Sequence, residues 1–289
     1  MEPLEVVVDG GIDDAVALAV LRGAGVPIRQ VVATEGSVAL PITARTTARF
    51  LASIGVSGVP VRLGARRGLG GPYPTDRDLF HGADGFGGFG GDLAGAALPV
   101  SALARLEGPV FVSSAMTVVA QALHRDDPVT SVLWMGGAVA VGGNMTAAAE
   151  FNAWMDPTAA DEVLTSARPV SMVPLDVTMS CRWSRDDLAA LTALGPAGEL
   201  LSRAAGVLCQ RDGTFVPHDA VTAIALIGPA RFSWRERHVR CEREGLVAHG
   251  ATVVDRRRHA PPPNATVAEA CDPREIRAAI FAAIAELAG

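Results

Sequence analysis

The sequence predicts an α/β fold: a single domain with a mostly parallel sheet flanked by helices and a small antiparallel addition near the C-terminus. Three observations carry this expectation. Short apolar, β-prone runs alternate with helical stretches through most of the chain, which is the pattern of repeated βαβ units. The runs are apolar along their length rather than in alternate positions, as strands covered on both faces are. Finally, 289 residues with 49% hydrophobic, 19% charged and 31 glycines supply a large core and many turns, which excludes disorder and collagen-like repeats.

The elements follow in order. Leu4 to Val8 reads as the first strand, Gly10-Gly11 as a turn, and Asp13 to Leu21 as a helix whose first-turn carboxylates suit the positive end of its dipole. The same alternation recurs in Gln30 to Ala33 with Thr43 to Ile54, and in Val110 to Ser113 with Thr117 to His124, followed by Ser131 to Met135 and Val170 to Pro174. Leu63 to Asp92, rich in Gly, Pro and Asp, breaks the rhythm and reads as a long functional loop or flap. After about Ile227, Arg240 to Asp255 reads as an antiparallel pair turning near His249-Gly250, Pro261 to Pro263 as a connector, and Pro273 to Leu287 as a final amphipathic helix. No linker divides residues 1–289 and no internal repeat is visible.

Composition removes several function classes. With 25 basic against 31 acidic residues and no basic block longer than Arg256 to Arg258, nothing favours nucleic acid or an acidic membrane as partner. Every basic residue is Arg. Without a lysine, Schiff-base chemistry, a phosphate loop ending in Gly-Lys-Ser/Thr and kinase-type ATP anchoring all fall away. The four cysteines (Cys181, Cys209, Cys241, Cys271) form no Cys-x-x-Cys pair, the start carries Glu2 and Glu5 where a secretory signal would be basic and then apolar, and no run of about 18 apolar residues exists. A cytoplasmic setting with cysteines as small core residues is the expectation.

Chemistry concentrates in the turn Asp9-Gly-Gly-Ile-Asp13-Asp14, at the carboxyl end of the first strand, where open parallel sheets bind ligands. Three carboxylates this close repel one another, a cost offset by a cation or a polar substrate. Helix capping by Asp13 or Asp14 beside a solvated Asp9 is the competing structural reading. An Asp-based phosphotransferase is excluded, because Gly11 stands where its second Asp belongs and it needs a Lys. Zinc would want His or Cys at short spacing. An all-oxygen set points to calcium or magnesium instead.

The turn resembles the second half of the Asp-x-Asp-Pro-Gly-x-Asp-Asp signature of the inosine-uridine preferring nucleoside hydrolases. Further matches follow in chain order: His81-Gly-Ala-Asp84-Gly, Met135-Gly-Gly-Ala138, Asn144-x5-Glu150-Phe-Asn152 with Asp156-Pro157, Leu175-Asp176-Val-Thr178, and His218-Asp219. The resemblance covers nearly the whole chain and implies a Rossmann-type core and hydrolysis of a ribonucleoside N-glycosidic bond with Ca2+ as cofactor. By position it implies that Asp9, Asp14, Asp219 and the carbonyl of Thr117 hold the metal. Asp9 would also serve as general base. Asp13, Asn144, Glu150 and Asn152 would hold ribose hydroxyls with Met135 near the sugar, while His218 and His81 would face the base.

These residue types suit the reaction, since buried carboxylates stabilise an oxocarbenium-like sugar and a histidine can assist the departing base. Each also has a structural reading: Asn144 and Asn152 as turn residues, Glu150 as a helix-start carboxylate, His218 as a satisfied core histidine, and His81 as a loop residue. Asp84, Asp156, Asp176 and Thr178 read as scaffold, and His124, His238, His249 and His259 as surface residues. Val7, Gly10, Ser37 and Val118 depart from the family pattern around the presumed site. A specialised ribosyl substrate, handled by a related hydrolase or transferase, and a non-catalytic nucleoside- or ribose-binding relative are therefore the alternatives. A homodimer or homotetramer is the expected assembly.

Overall fold

The computed structural model describes residues 2–74, 80–93, 100–102 and 105–288. β1 (Leu4–Val8) leads into α1 (Ile12–Gly23), followed by β2 (Ile28–Ala33), α2 (Leu40–Ser53), β3 (Val61–Leu63) and β4 (Val100–Ala102). Next come β5 (Gly108–Ser113), α3 (Thr117–His124), β6 (Val129–Met135), α4 (Phe151–Met155), α5 (Pro157–Leu164), β7 (Val170–Val173) and α6 (Leu175–Thr178). The chain continues through α7 (Arg185–Thr192), α8 (Pro196–Asp212), α9 (His218–Ile227), β8 (Phe232–Cys241), β9 (Thr252–Asp255), β10 (Ala265–Cys271) and α10 (Pro273–Ala285). Among the described residues, no helix is long and apolar enough to cross a membrane.

The strands form one sheet in the order β4-β3-β2-β1-β5-β6-β7-β10-β8-β9. Pairing is parallel from β4 through β7 and on to β10, then antiparallel for β10–β8 and β8–β9. The predicted fold class, with its antiparallel C-terminal addition, is thus the one observed. Because side chains alternate across a strand, each inner strand feeds two cores. Leu4, Val6 and Val8 pack with α1, α2, α8, α9 and α10, whereas Val7 packs with Val32, Val112 and residues of α3 and α5.

Two expectations need correction. The antiparallel pair starts at Phe232 rather than Arg240, and residues 242–251 form the connection between its strands. Arg235, Glu236 and Arg237 hide this strand in the sequence, because the first two are exposed and the third is only half-buried, and together they leave no apolar run to read. The strand Ala265–Cys271 was not anticipated at all. It is inserted between β7 and β8, and its alanines carry weak β propensity, so the tertiary slot decides its conformation.

The predicted long loop begins where β3 ends at Leu63. Its residues 75–79 lie outside the described residues; from Phe80 it is organised by Asp84, which accepts hydrogen bonds from the amides of Phe86, Gly88 and Gly90. The scaffold reading of Asp84 holds, as it does for Asp176, which accepts from the amides of Val139 and Ala140.

Candidate active site

Strand order reverses at β1, with β2 on one side and β5 on the other, so the carboxyl ends of β1 and β5 frame the crevice where parallel sheets bind ligands. Asp9 leaves the end of β1 there, and Asp13 and Asp14 open α1. Gly10 carries the chain through φ +89°, which neither proline nor a β-branched residue adopts. Its free amide matters too. Asp14 Oδ2 accepts from the amides of Gly10 (2.9 Å), Gly11 (2.8 Å) and, more weakly, Asp9 (3.3 Å), while Ser113 Oγ at the end of β5 donates to Asp14 Oδ1. A proline at position 10 could not donate, so this departure from the family pattern adds a donor to Asp14.

Asp9 is positioned from above by the β2–α2 turn. Ser37 hydrogen-bonds its carboxylate, and Thr43 Oγ1 donates to its carbonyl at 3.0 Å. Gly36 lies so close that a Cβ there would stand 2.3 Å from Asp9 Cβ. Two other departures form one feature: Val7 and Val118 are both fully buried and belong to the same apolar cluster.

A cavity of about 290 Å³ opens above these residues. Of the residues singled out in the sequence, Asp9, Asp13, His81, Met135, Asn144, Glu150, Asn152, His218 and Asp219 line it. Asp14 and Thr117 do not; Asp14 is turned onto its amides, and Thr117, the first residue of α3, donates to Asp156 Oδ2 at 2.6 Å. Asp156 also accepts from the amides of Leu69 and Ala159, consistent with its scaffold reading.

The far wall is built on α4. Glu150 caps that helix, accepting from the amides of Asn152 (2.9 Å), Ala153 (3.1 Å) and, just after β6, Gly137 (2.7 Å). Burial outweighs these bonds and pushes its carboxyl up to about 7. Asn152 Nδ2 donates to the carbonyl of Met135 at 3.0 Å, which leaves Asn152 Oδ1 buried, in the cavity lining and without a partner. An orphaned buried acceptor costs about 1–3 kcal/mol, a cost that a ligand hydroxyl would relieve. Asn144 is exposed at the rim, its Oδ1 accepting from the amide of Phe151.

The carboxylates set the electrostatics. Burial, with repulsion from Asp14, raises Asp9 well above its ordinary value, and burial with repulsion from Asp13, Asp14 and Asp9 does the same to Asp219 at the start of α9. Burial raises Asp13 and Asp14 to about 6. Among the described residues no arginine pairs with any of them; the nearest basic group is His81 Nε2, 3.8 Å from Asp13 Oδ1. This donor set, hard, anionic and short of positive charge, fits a divalent cation of the Ca2+ or Mg2+ type. No three of the described side chains yet converge in ligand geometry, Asp14 being held by its amides.

His81 Nδ1 accepts from the amide of Ile12 at 2.9 Å, so its ring proton sits on Nε2, toward Asp13. His218 Nδ1 lies 2.8 Å from Thr178 Oγ1. Burial holds both imidazoles neutral, His81 down to about 4 and His218 to about 3, the latter helped by His81 and Arg182. Thr178, read from sequence as scaffold, therefore orients a cavity histidine. Phe80, Met179, Arg182, Arg211 and Phe215 also line the cavity. Sequence reasoning missed them because no periodicity or spacing marks residues gathered from separate loops and from the last turn of α8.

A family model described as inosine-uridine preferring nucleoside hydrolase matches residues 6–278. The chain belongs to the inosine-uridine preferring nucleoside hydrolase family. The resemblance read from the motifs is borne out over nearly the whole chain, and this nucleoside hydrolase is by family an N-glycosyl hydrolase. It is 32% identical over 279 residues to the pyrimidine-specific ribonucleoside hydrolase RihA of Citrobacter koseri, spanning 86% of each chain. It is 30% identical over 274 residues to the probable uridine nucleosidase 1 of Oryza sativa subsp. japonica, spanning 86% of this chain and 83% of the other. Its fold superposes on the plant nucleoside hydrolase PpNRh1 with a TM-score of 0.87 at 22% identity, covering 98% of both chains. A purine-preferring ribonucleoside hydrolase from Gardnerella vaginalis gives 0.85 at 22% identity, covering 99% of both.

Proposed function

We propose that this nucleoside hydrolase cleaves the N-glycosidic bond of a ribonucleoside to release ribose and free base, with Ca2+ held by Asp9, Asp14, Asp219 and the carbonyl of Thr117. The observation that carries the reading is the meeting of three buried carboxylates, Asp9, Asp13 and Asp219, repelled by one another and by the buried Asp14 beside them, with the unpartnered Asn152 Oδ1 across one cavity. When bound, the cation supplies positive charge that offsets the repulsion and Lewis acidity for activating water. Asp14 can take part because its Oδ1 keeps a lone pair beyond the Ser113 bond.

The chain's own residues divide the remaining work. Asp9, in the cavity lining, takes the proton of the attacking water. Asp13, Asn144, Glu150 and Asn152 hold the ribose hydroxyls, with Asn152 Oδ1 accepting one of them and Met135 closing the pocket beneath the sugar. Bond breaking leaves positive charge on the ring, which the nearby carboxylates stabilise because burial removes competing water. His81, through its Nε2 proton, and His218 face the departing base.

A panel of purine, pyrimidine and modified nucleosides, read by released ribose, tests this together with elemental analysis of the purified chain. Base release with about one calcium per chain is expected; calcium without base release from any nucleoside refutes hydrolysis.

A further inference from the structure

Away from the carboxylate cluster, two nucleophilic side chains touch. Cys181 Sγ and Cys271 Sγ lie 3.7 Å apart, and all four cysteines are free. Ser180 Oγ approaches both sulfurs, at 3.7 Å and 3.9 Å. Cys181 is buried in the turn after α6, whereas Cys271, the last residue of β10, is only half-buried and open to a small oxidant. The turn that holds Cys181 is also a wall of the cavity: Met179 and Arg182 line it, and Thr178 just before them holds His218.

We propose that Cys181 and Cys271 are an oxidisable dithiol which a hydroperoxide converts to a disulfide, and that this bond alters the cavity by tying its 179–182 wall to the end of β10. Cys271 is the attacking sulfur, being the more exposed. Hydrogen bonds from Cys181 and Ser180 favour its thiolate and hold its pKa below the ordinary value, while the bond to Cys271 and burial push Cys181 up. The Cys271 thiolate attacks the peroxide, forming an S–O bond as the O–O bond breaks, and the departing alkoxide takes a proton from solvent. Cys181 then loses its proton and attacks the sulfenic sulfur. The S–S bond forms, the S–O bond breaks, and hydroxide leaves with that proton as water. Two thiols are oxidised by two electrons, and the peroxide is reduced to an alcohol and water.

The reduced full chain, exposed to tert-butyl hydroperoxide under native conditions, then freed of peroxide, unfolded in urea and trapped with maleimide, tests this by peptide mass mapping. Two of the four cysteines should escape alkylation, a peptide joining Cys181 to Cys271 should appear, and dithiothreitol should reverse both. Cys209→Ser should still cross-link, whereas Cys181→Ser should stop at a Cys271 sulfenic acid that dimedone captures. Four alkylatable thiols after oxidation, or cross-links that join other cysteines, would overturn the pairing. That map is decisive on the wild type even if Cys181→Ser misfolds. Oxidation should also change kcat/KM for the best nucleoside by about threefold or more, and an unchanged value in a fully cross-linked sample would overturn the effect on the cavity wall. That kinetic effect rests on the proposed hydrolysis. The cross-link does not, so a chain that cleaves no nucleoside would refute the function and leave the dithiol standing.

Discussion

Gly36→Ala perturbs the candidate site through a single methyl group. The new Cβ would meet Asp9 Cβ at 2.3 Å and Asp9 Oδ2 at 2.3 Å, whereas ordinary contact begins at 3.4 Å. Asp9 or the turn above it must therefore yield by about 1 Å, and a displacement of that size at a reacting group costs about a hundredfold in rate. Overpacking should cost about 1–3 kcal/mol of stability as well. Gly206→Ala is the control. Gly206 lies within α8 with nothing near its added Cβ, so alanine there should stabilise the chain by about 0.5–1 kcal/mol and leave activity alone. The assay is kcat/KM on the best nucleoside in the panel, with urea unfolding to confirm that each variant is folded. Gly36→Ala within about threefold of wild type would show that Asp9 is not held by this contact or does not act as the base.

Other expectations follow from the same geometry. Chelation should lower the melting temperature by about 5 °C or more, since a cation at about 100 times its dissociation constant contributes roughly 2.7 kcal/mol; an unmoved transition in differential scanning calorimetry refutes the cation site. Asp9→Asn should lose about a hundredfold or more in turnover while retaining calcium by elemental analysis, and wild-type turnover would move the base elsewhere. His218→Ala should slow a nucleoside about a hundredfold yet leave p-nitrophenyl riboside, whose leaving group needs no help, within about tenfold; equal losses on both would make His218 a positioning residue. At Asp161 burial opposes the charge, but hydrogen bonds from Arg240, the Cys241 amide and Arg243 win and hold its carboxyl below the usual range. Its folded pKa is depressed, so its stabilisation is full above the unfolded value near about pH 4 and fades as pH falls through the folded one. Asp161→Asn should cost about 3 kcal/mol at pH 7 by urea unfolding, and a gap that does not shrink toward pH 3 refutes the charge argument.

Sequence alone determined the parallel core and set three candidate carboxylates at its edge. Apolar runs at β1, β2, β5, β6 and β7 are legible because strands buried on both faces need apolar residues at every position, and that demand is local. Asp9, Asp13 and Asp14 are legible because three carboxylates in one turn are costly without an offsetting charge. The distant residues His81, Asn144, Glu150, Asn152 and His218 were legible only through resemblance, since no spacing joins them. Tertiary structure decided the rest. It brought Ser113 to Asp14 and Thr178 to His218 across separations of 99 and 40 residues, and it set Cys181 against Cys271 across 90. It also made Ala265–Cys271 a strand by offering it a place between β7 and β8. Such pairings depend on the order in which strands lie side by side. That order is fixed by packing both cores at once, and no local run of residues encodes it.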